Sequence, residues 1–332
     1  ACELAELLGA AVYQEPVPYN ARFPAGHRAH MGDLTRNQKK VHETLSRYDL
    51  VLCLGADLLR MSPYSAVDPL PDGMPVVHVS ERDWELGKNY PTELAIRADV
   101  RETLQALLPV LKRMRTAEQA AQAERRLHSL APHNWSAQRA AACAGVPSTA
   151  PVDPRYLAMT LADVLPEEAI VVEEAVSSAA ALSTFLAVNR ADSFYGLASG
   201  GLGFGMAGAV GISLAKPGRP VVAVIGDGSA LYTIQALWTA AHLDLPITYV
   251  ILNNRGYRII KERLVANRGS ERFVGMDLKD PAIDFVAVAR GLGMSAQRVS
   301  GSRGLAATLG HAIGSGAPNL VEVAMDDGFG NS

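Results

Sequence analysis

Two short polar clusters, Gly226-Asp227-Gly228-Ser229 and Asn253-Asn254, hold the residue types in this 332-residue chain best suited to chemistry on a phosphate. Gly226 and Gly228 let the backbone come close to a ligand because no side chain stands in the way. Ser229 and the N–H groups of a following helix would make an anion site. Asp227 offers a hard carboxylate oxygen. Asn254, further along the chain, offers a hard carbonyl oxygen. Two such ligands, completed by phosphate oxygens, suit octahedral magnesium, which protein groups alone rarely enclose.

The elements that must position these clusters are legible around them. Residues 221–225 are an apolar, β-branched run that reads as a buried parallel strand. A helix is expected next, with Leu231, Ile234, Leu237, Trp238 and Ala241 at steps of three and four. Pro246 stops it, and residues 247–252 form a second buried strand. The interval from Asp227 to Asn254 is what one helix and one strand need to return the chain to the same edge. Both clusters then fall at the carboxyl ends of parallel strands, where open α/β sheets bind ligands.

A GDG followed, at that interval, by NN resembles the diphosphate–metal motif of thiamine-diphosphate enzymes. The preceding Ser199-Gly200-Gly201-Leu202-Gly203-Phe204 is similar to the same family, and above all to its benzoylformate decarboxylases and acetolactate-synthase-like enzymes. The resemblance runs more weakly over the whole chain. It implies two doubly wound α/β parallel-sheet domains: a partial central, Rossmann-like domain over 1–115 and a complete diphosphate-binding domain over 151–332, joined by a linker over 116–150. It also implies thiamine diphosphate and Mg2+ as cofactors, with Asp227, Asn254 and the Gly256 carbonyl as metal ligands. Gly226, Gly228, Ser229 and Tyr232 would surround the diphosphate. Val176 and Ser177 fall where diphosphate and thiazolium contacts are made; Ser177 can donate to a phosphate oxygen and Val176 cannot. Gly200 and Gly201 would grip the aminopyrimidine, and Leu202 matches the apolar residue that bends the cofactor. Ile259 and Arg263, one helical turn apart, fall on the face that lines the substrate pocket in decarboxylases, where relatives acting on aromatic substrates carry a small residue and an aromatic. Arg263 would either pair with a carboxylate or belong to a solvated face. The reaction implied is decarboxylation of a 2-oxo acid, as in benzoylformate decarboxylases. The alternatives are an acetolactate-synthase-like carboligase and a non-catalytic cofactor-binding subunit.

Along residues 1–115, helix 1–9, strand 10–14, helix 35–47, strands 50–54, 75–79 and 95–96 and helix 100–114 alternate as a parallel sheet requires. Residues 16–34 read as irregular. Within them Phe23-Pro24-Ala25-Gly26-His27 resembles the decarboxylase segment whose histidine reaches the active site, so His27 is a candidate proton relay. His30 lies three residues on, and Arg28-Ala29-His30 departs from the family's usual apolar text. Gly55 after a strand hints at a nucleotide site, but no GxGxxG accompanies it, and the domain reads either as empty or as a flavin or ADP site. In the second domain Asp153-Pro154 is an N-cap followed by Pro at the first helical position. Residues 268–282 read as a lid loop.

Composition sets outer limits. Net charge is −3 and no basic stripe appears, which argues against a nucleic-acid partner. No apolar run reaches the roughly 18 residues that a helical membrane span needs. Cys2, Cys53 and Cys143 lack ligand spacing and read as reduced thiols of a cytoplasmic protein. The chain opens on a helical segment with no initiator Met, which suggests a portion of a longer protein. The family resemblance implies a homodimer or homotetramer formed through an amino-terminal domain, which would also supply an activating glutamate; the 332 residues alone are then expected to be inactive.

Overall fold

The computed structural model describes residues 1–15, 22–62, 65–198, 200–326 and 328. Residues 16–21 of the irregular stretch and Ser199 of the glycine-rich run lie outside them. The chain divides into two compact units. One comprises residues 1–16 and 25–137, the other residues 17–24 and 138–332.

The first unit contains α1 (Cys2–Leu8), β1 (Val12–Gln14), β2 (His30–Asp33), α2 (Gln38–Leu45), β3 (Val51–Leu54), β4 (Val76–Ser80), β5 (Leu94–Arg97), α3 (Val100–Met114) and α4 (Ala117–Leu130). All its pairings are parallel: β1 with β2, and β3-β4-β5 in that order. β2 lies within the stretch expected to be irregular. Its four residues, HMGD, carry a glycine at φ 94°, so no alternating pattern announces it. Residues 116–130, expected to open a linker, fold back as α4 against α1. Thr116 and Gln119 cap α4 reciprocally, and Gly9 ends α1 at φ 63°. A Cβ at Gly9 would stand 2.5 to 2.9 Å from the Ala123 backbone, so only glycine permits that approach.

After α5 (Trp135–Cys143), the second unit contains α6 (Pro154–Val164), β6 (Ile170–Glu174), α7 (Ala179–Phe185), β7 (Phe194–Tyr195), α8 (Phe204–Ala215), β8 (Val221–Gly226), α9 (Asp227–Ala230), α10 (Ala236–His242), β9 (Ile247–Asn253), α11 (Arg258–Arg268), α12 (Phe285–Gly291), β10 (Ser295–Val299), α13 (Leu305–Gly314) and β11 (Asn319–Ala324). Asp153 caps α6 through the Arg155 N–H with Pro154 behind it, as the sequence predicts. Six parallel strands run in the order β10-β11-β9-β8-β6-β7. Both faces are covered. Val222, Val224, Val250 and Leu252 join a core with α6, α7 and α13 on one face. Val221, Ala223, Ile225, Ile247, Tyr249 and Ile251 join a core with α8, α10 and α12 on the other. Strands buried on both faces need apolar residues at nearly every position, which is why residues 221–225 of β8 read as an unbroken run and residues 247–252 of β9 are interrupted at Thr248 alone. Each buried Val, Leu or Ile among them contributes about 1.5–3 kcal/mol by burial.

The chain leaves β6 toward β7 at one edge, then returns to β8 on the other side of β6. The crossovers therefore diverge at the carboxyl ends of β6 and β8 and open a crevice there.

One expected element is different. The single helix after the GDG cluster is split. Between α9 and α10 the hydrogen bonds run from Tyr232, Thr233, Ala236, Leu237 and Trp238 N–H to the carbonyl three residues back. Three residues per turn cannot keep a 3.6-residue stripe on one side. Leu237 is buried, while Leu231 and Trp238 are exposed, the Trp238 ring stacked on His242 at 4.9 Å.

Candidate cofactor and metal site

Asp227 follows the last residue of β8, and Asn254 follows the last residue of β9. The neighbouring strands bring both to one edge. Asp227 Oδ1 accepts the Gly228 N–H at 2.8 Å. Its Oδ2 accepts the Gly256 N–H at 3.2 Å, and Asn254 Oδ1 accepts that same N–H at 3.2 Å. One hydrogen is thus shared by two hard oxygens carried on the ends of two different strands. Arg255, at φ 57°, makes the reversal that turns Gly256 back toward them. Asn253 faces elsewhere: its Nδ2 donates to Glu322 Oε1 at 2.8 Å and its Oδ1 accepts the Arg255 N–H at 3.1 Å. Of the asparagine pair, Asn253 ties β9 to β11 and Asn254 meets Asp227.

Burial pushes the Asp227 carboxyl up to about 6, against the opposing N–H groups of Gly228 and Gly256. Among the described residues no basic side chain pairs with it. A buried carboxylate beside a second hard oxygen and without a cationic partner fits a divalent cation as the missing countercharge. Gly228 leaves no room for a side chain, since a Cβ there would stand 2.7 Å from the Tyr257 ring. The expectation of free N–H groups on a following helix needs correction: α9 is four residues long, and the Gly228 N–H is committed to Asp227.

The glycine-rich run is held by two residues that sequence reasoning does not single out. Glu174, fully buried at the end of β6, accepts the Gly203 N–H on Oε1 at 2.6 Å and the Gly205 N–H on Oε2. Thr233 Oγ1 donates to the Gly203 carbonyl at 2.8 Å. The tight turns after α9 set Thr233 under that carbonyl. The available signal is the Glu173-Glu174 pair ending a buried strand; its partners, beyond β7 in the chain, are not readable from it. Burial raises the Glu174 carboxyl above its ordinary value, opposed by the two N–H groups, and pushes Glu173 up to about 7. A methyl at Gly205 would run into Ile225 and Glu174. Gly205→Ala should therefore cost about 1–3 kcal/mol by overpacking, seen as a melting temperature lower by about 3–10 °C. An unshifted melting curve would contradict the packing described.

Gly226 stands at the end of β8 and Ser229 is buried in α9. Tyr232 is 60% exposed and lies against the glycine-rich run, its Cβ 3.0 Å from where a Gly203 Cβ would be. Gly200 and Gly201 are exposed, and Leu202, Val176 and Tyr257 present apolar surface. Ser177 is half-buried in the turn between β6 and α7. On α11, Ile259 is half-buried and Arg263 is exposed. Residues 268–282, expected as a lid, begin on the last residue of α11, form no long element after it, and pair with the turn after β9 through a bridge between Gly256 and Asp277. His27 belongs to the other compact unit, where its Nε2 lies 3.5 Å from Glu6 and its Nδ1 accepts the Ala29 N–H at 3.1 Å. Among the described residues no helix is long and apolar enough to cross a membrane.

Two family models match the chain: the central domain of thiamine pyrophosphate enzymes over residues 1–107, and their C-terminal thiamine-pyrophosphate-binding domain over 175–323. The chain belongs to the thiamine-pyrophosphate enzyme family. It is 32% identical over 323 residues to benzoylformate decarboxylase of Pseudomonas aeruginosa, covering 97% of this chain and 57% of that protein. It is 26% identical to acetolactate synthase isozyme 1 large subunit of Escherichia coli, covering 92% of this chain and 52% of that one. Among solved structures, the thiamine diphosphate-dependent 4-hydroxybenzoylformate decarboxylase of Rhodococcus jostii superposes with a TM-score of 0.83 at 32% identity, covering 98% of this chain and 58% of that one. The chain thus spans little more than half the length of the relatives it matches.

Proposed function

We propose that this chain holds thiamine diphosphate and Mg2+ for the decarboxylation of a 2-oxo acid. The observation that carries the reading is the Gly256 N–H shared between Asp227 and Asn254 at 3.2 Å each. In this reading Asp227, Asn254 and the Gly256 carbonyl hold the metal. Ser229, Tyr232 and Ser177 donate to the diphosphate, with Gly226 and Gly228 leaving it room. Leu202, Gly200 and Gly201 orient the organic part, and Val176 adds an apolar contact. When bound, thiamine diphosphate supplies the carbon centre that takes up the electrons released as carbon dioxide departs. The protein's own part is to fix that geometry, exclude water and deliver a proton. The similarity to acetolactate synthase over most of the chain favours carboligation as the second reading. Because relatives extend well beyond the length matched here, activity is assigned to the full-length protein, and assembly into a dimer or tetramer belongs to the same proposal.

Ile259 and Arg263 line the proposed substrate pocket. A branched aliphatic and a guanidinium suit a small or doubly charged acid better than an aromatic ring. The full-length protein, given cofactor and Mg2+, should release carbon dioxide from pyruvate or 2-oxoglutarate faster than from benzoylformate. A higher rate on benzoylformate would overturn the substrate assignment, and no carbon dioxide from any of the three would overturn decarboxylation. Acetolactate rather than acetaldehyde as the product from pyruvate would select the carboligase reading.

A further inference from the structure

Lys261 is 2% exposed, and an ammonium is almost never that deeply buried without a countercharge. Its Nζ donates to Asp277 Oδ1 at 2.6 Å and lies 5.1 Å from the centre of the Phe273 ring. Asp277 is the residue bridged to Gly256. On either side of that bridge, the Tyr257 N–H donates to the Met276 carbonyl and the Leu278 N–H to the Arg255 carbonyl, both at 2.9 Å. Residues 276–278 therefore pair with residues 255–257, the turn that carries the N–H shared by the two metal-site oxygens. The contact is tight: a Cβ on Gly256 would stand 2.7 Å from the Met276 carbonyl and 3.5 Å from Lys261 Nζ.

We infer that Lys261 is a positioning residue, latching residues 269–282 through Asp277 onto the Asn254–Gly256 turn while Asp277 neutralises its charge beside the cation site. The inference rests on the assignment of Asp227, Asn254 and Gly256 to the metal. Two neighbouring cations repel strongly in a poorly solvated site unless an anion lies between or beside them. Two ammonium groups flank the Asp277 carboxylate, Lys261 Nζ at 2.6 Å and Lys279 Nζ at 3.5 Å. The two halves of the pair are then unequal toward metal. Loss of Lys261 frees the segment but leaves an anion near the site. Loss of Asp277 frees the segment and takes the carboxylate countercharge from the Lys261 ammonium.

The test uses the whole chain in two measurements. Hydrogen exchange on the metal-free protein should show residues 273–278 less protected in Lys261→Met, with β9 unchanged and Lys261→Arg close to wild type. Magnesium titrated calorimetrically at saturating thiamine diphosphate should bind Asp277→Asn about 10- to 100-fold more weakly than wild type. Lys261→Met should lose less, and Lys261→Met/Asp277→Asn should bind more tightly than Asp277→Asn alone. Unchanged exchange in Lys261→Met would overturn the latch. Equal losses in the two single variants, or additive losses in the double, would overturn the charge argument. A wild-type chain that takes up no magnesium would overturn the cofactor reading and the charge argument with it, while the exchange measurement would still decide the latch.

Discussion

Asp227→Asn should make the metal-free chain more stable and leave it unable to hold magnesium. The two effects share one cause. The carboxyl is 3% exposed and its pKa is raised from 3.8 to about 6 by burial. A folded-state value above the unfolded one means that the folded chain binds the proton more tightly. The penalty is absent below about pH 3.8, grows as pH rises to about 6, and is complete above it, so this group lowers metal-free stability across that window. At pH 7 the penalty is at most about 3 kcal/mol; asparagine removes it and gives back about 1 kcal/mol by turning an amide donor toward one N–H, the smaller loss falling at Gly256, whose N–H keeps Asn254 Oδ1. Magnesium affinity moves the other way with pH, rising through about pH 6 as the carboxylate ionises. Without the anionic oxygen, affinity should fall by at least about 100-fold. Thermal melts with and without Mg2+ check both signs. A variant that is less stable metal-free and still stabilised by magnesium would mean that Asp227 is structural.

Glu174→Ala should be the most damaging single change around the site that removes no proposed ligand. It leaves the Gly203 and Gly205 N–H groups without their acceptor. Each buried unpaired donor costs about 1–3 kcal/mol, so the pair costs about 2–6 kcal/mol, a fall of roughly 5–20 °C in melting temperature. Among the described residues, the Thr233 hydroxyl would then be the hydrogen bond left at Gly203. Thiamine diphosphate should bind at least about tenfold more weakly even where the chain stays folded, because an ordered loop must then be formed on binding. Glu174→Gln keeps one acceptor but aims an amide donor at the other N–H, so it should fall between alanine and wild type. A folded Glu174→Ala chain with undiminished cofactor affinity would show that the run is positioned by something else.

Much of this is legible in the amino-acid sequence. β8 and β9 are buried on both faces, and nearly continuous apolar text is what such strands require. The interval between Asp227 and Asn254 is one crossover, so their meeting at one edge follows from spacing alone. What escapes the sequence shares a physical character. β2 has four residues and a glycine at positive φ, too little pattern to register. The break after Ala230 comes from tight turns that carry Thr233 to the Gly203 carbonyl, a tertiary contact overriding a local period. Glu174 and Lys261 look like surface charges in the sequence; only the groups folded over them, Gly203 and Gly205 in one case and Asp277 in the other, make them buried anchors. Asn253 and Asn254 are indistinguishable by type, and the strand register decides that Glu322 takes one and Asp227 meets the other.

The most direct measurement is a calorimetric titration of the wild-type chain with thiamine diphosphate at pH 7, in Mg2+ and again in excess chelator, with Asp227→Asn alongside. The expected result is saturable one-to-one binding that requires Mg2+ and vanishes in the variant. Binding unaffected by chelation or by Asp227→Asn, or no binding by the wild type at all, would contradict the assignment of Asp227, Asn254 and Gly256 to a metal-bridged diphosphate.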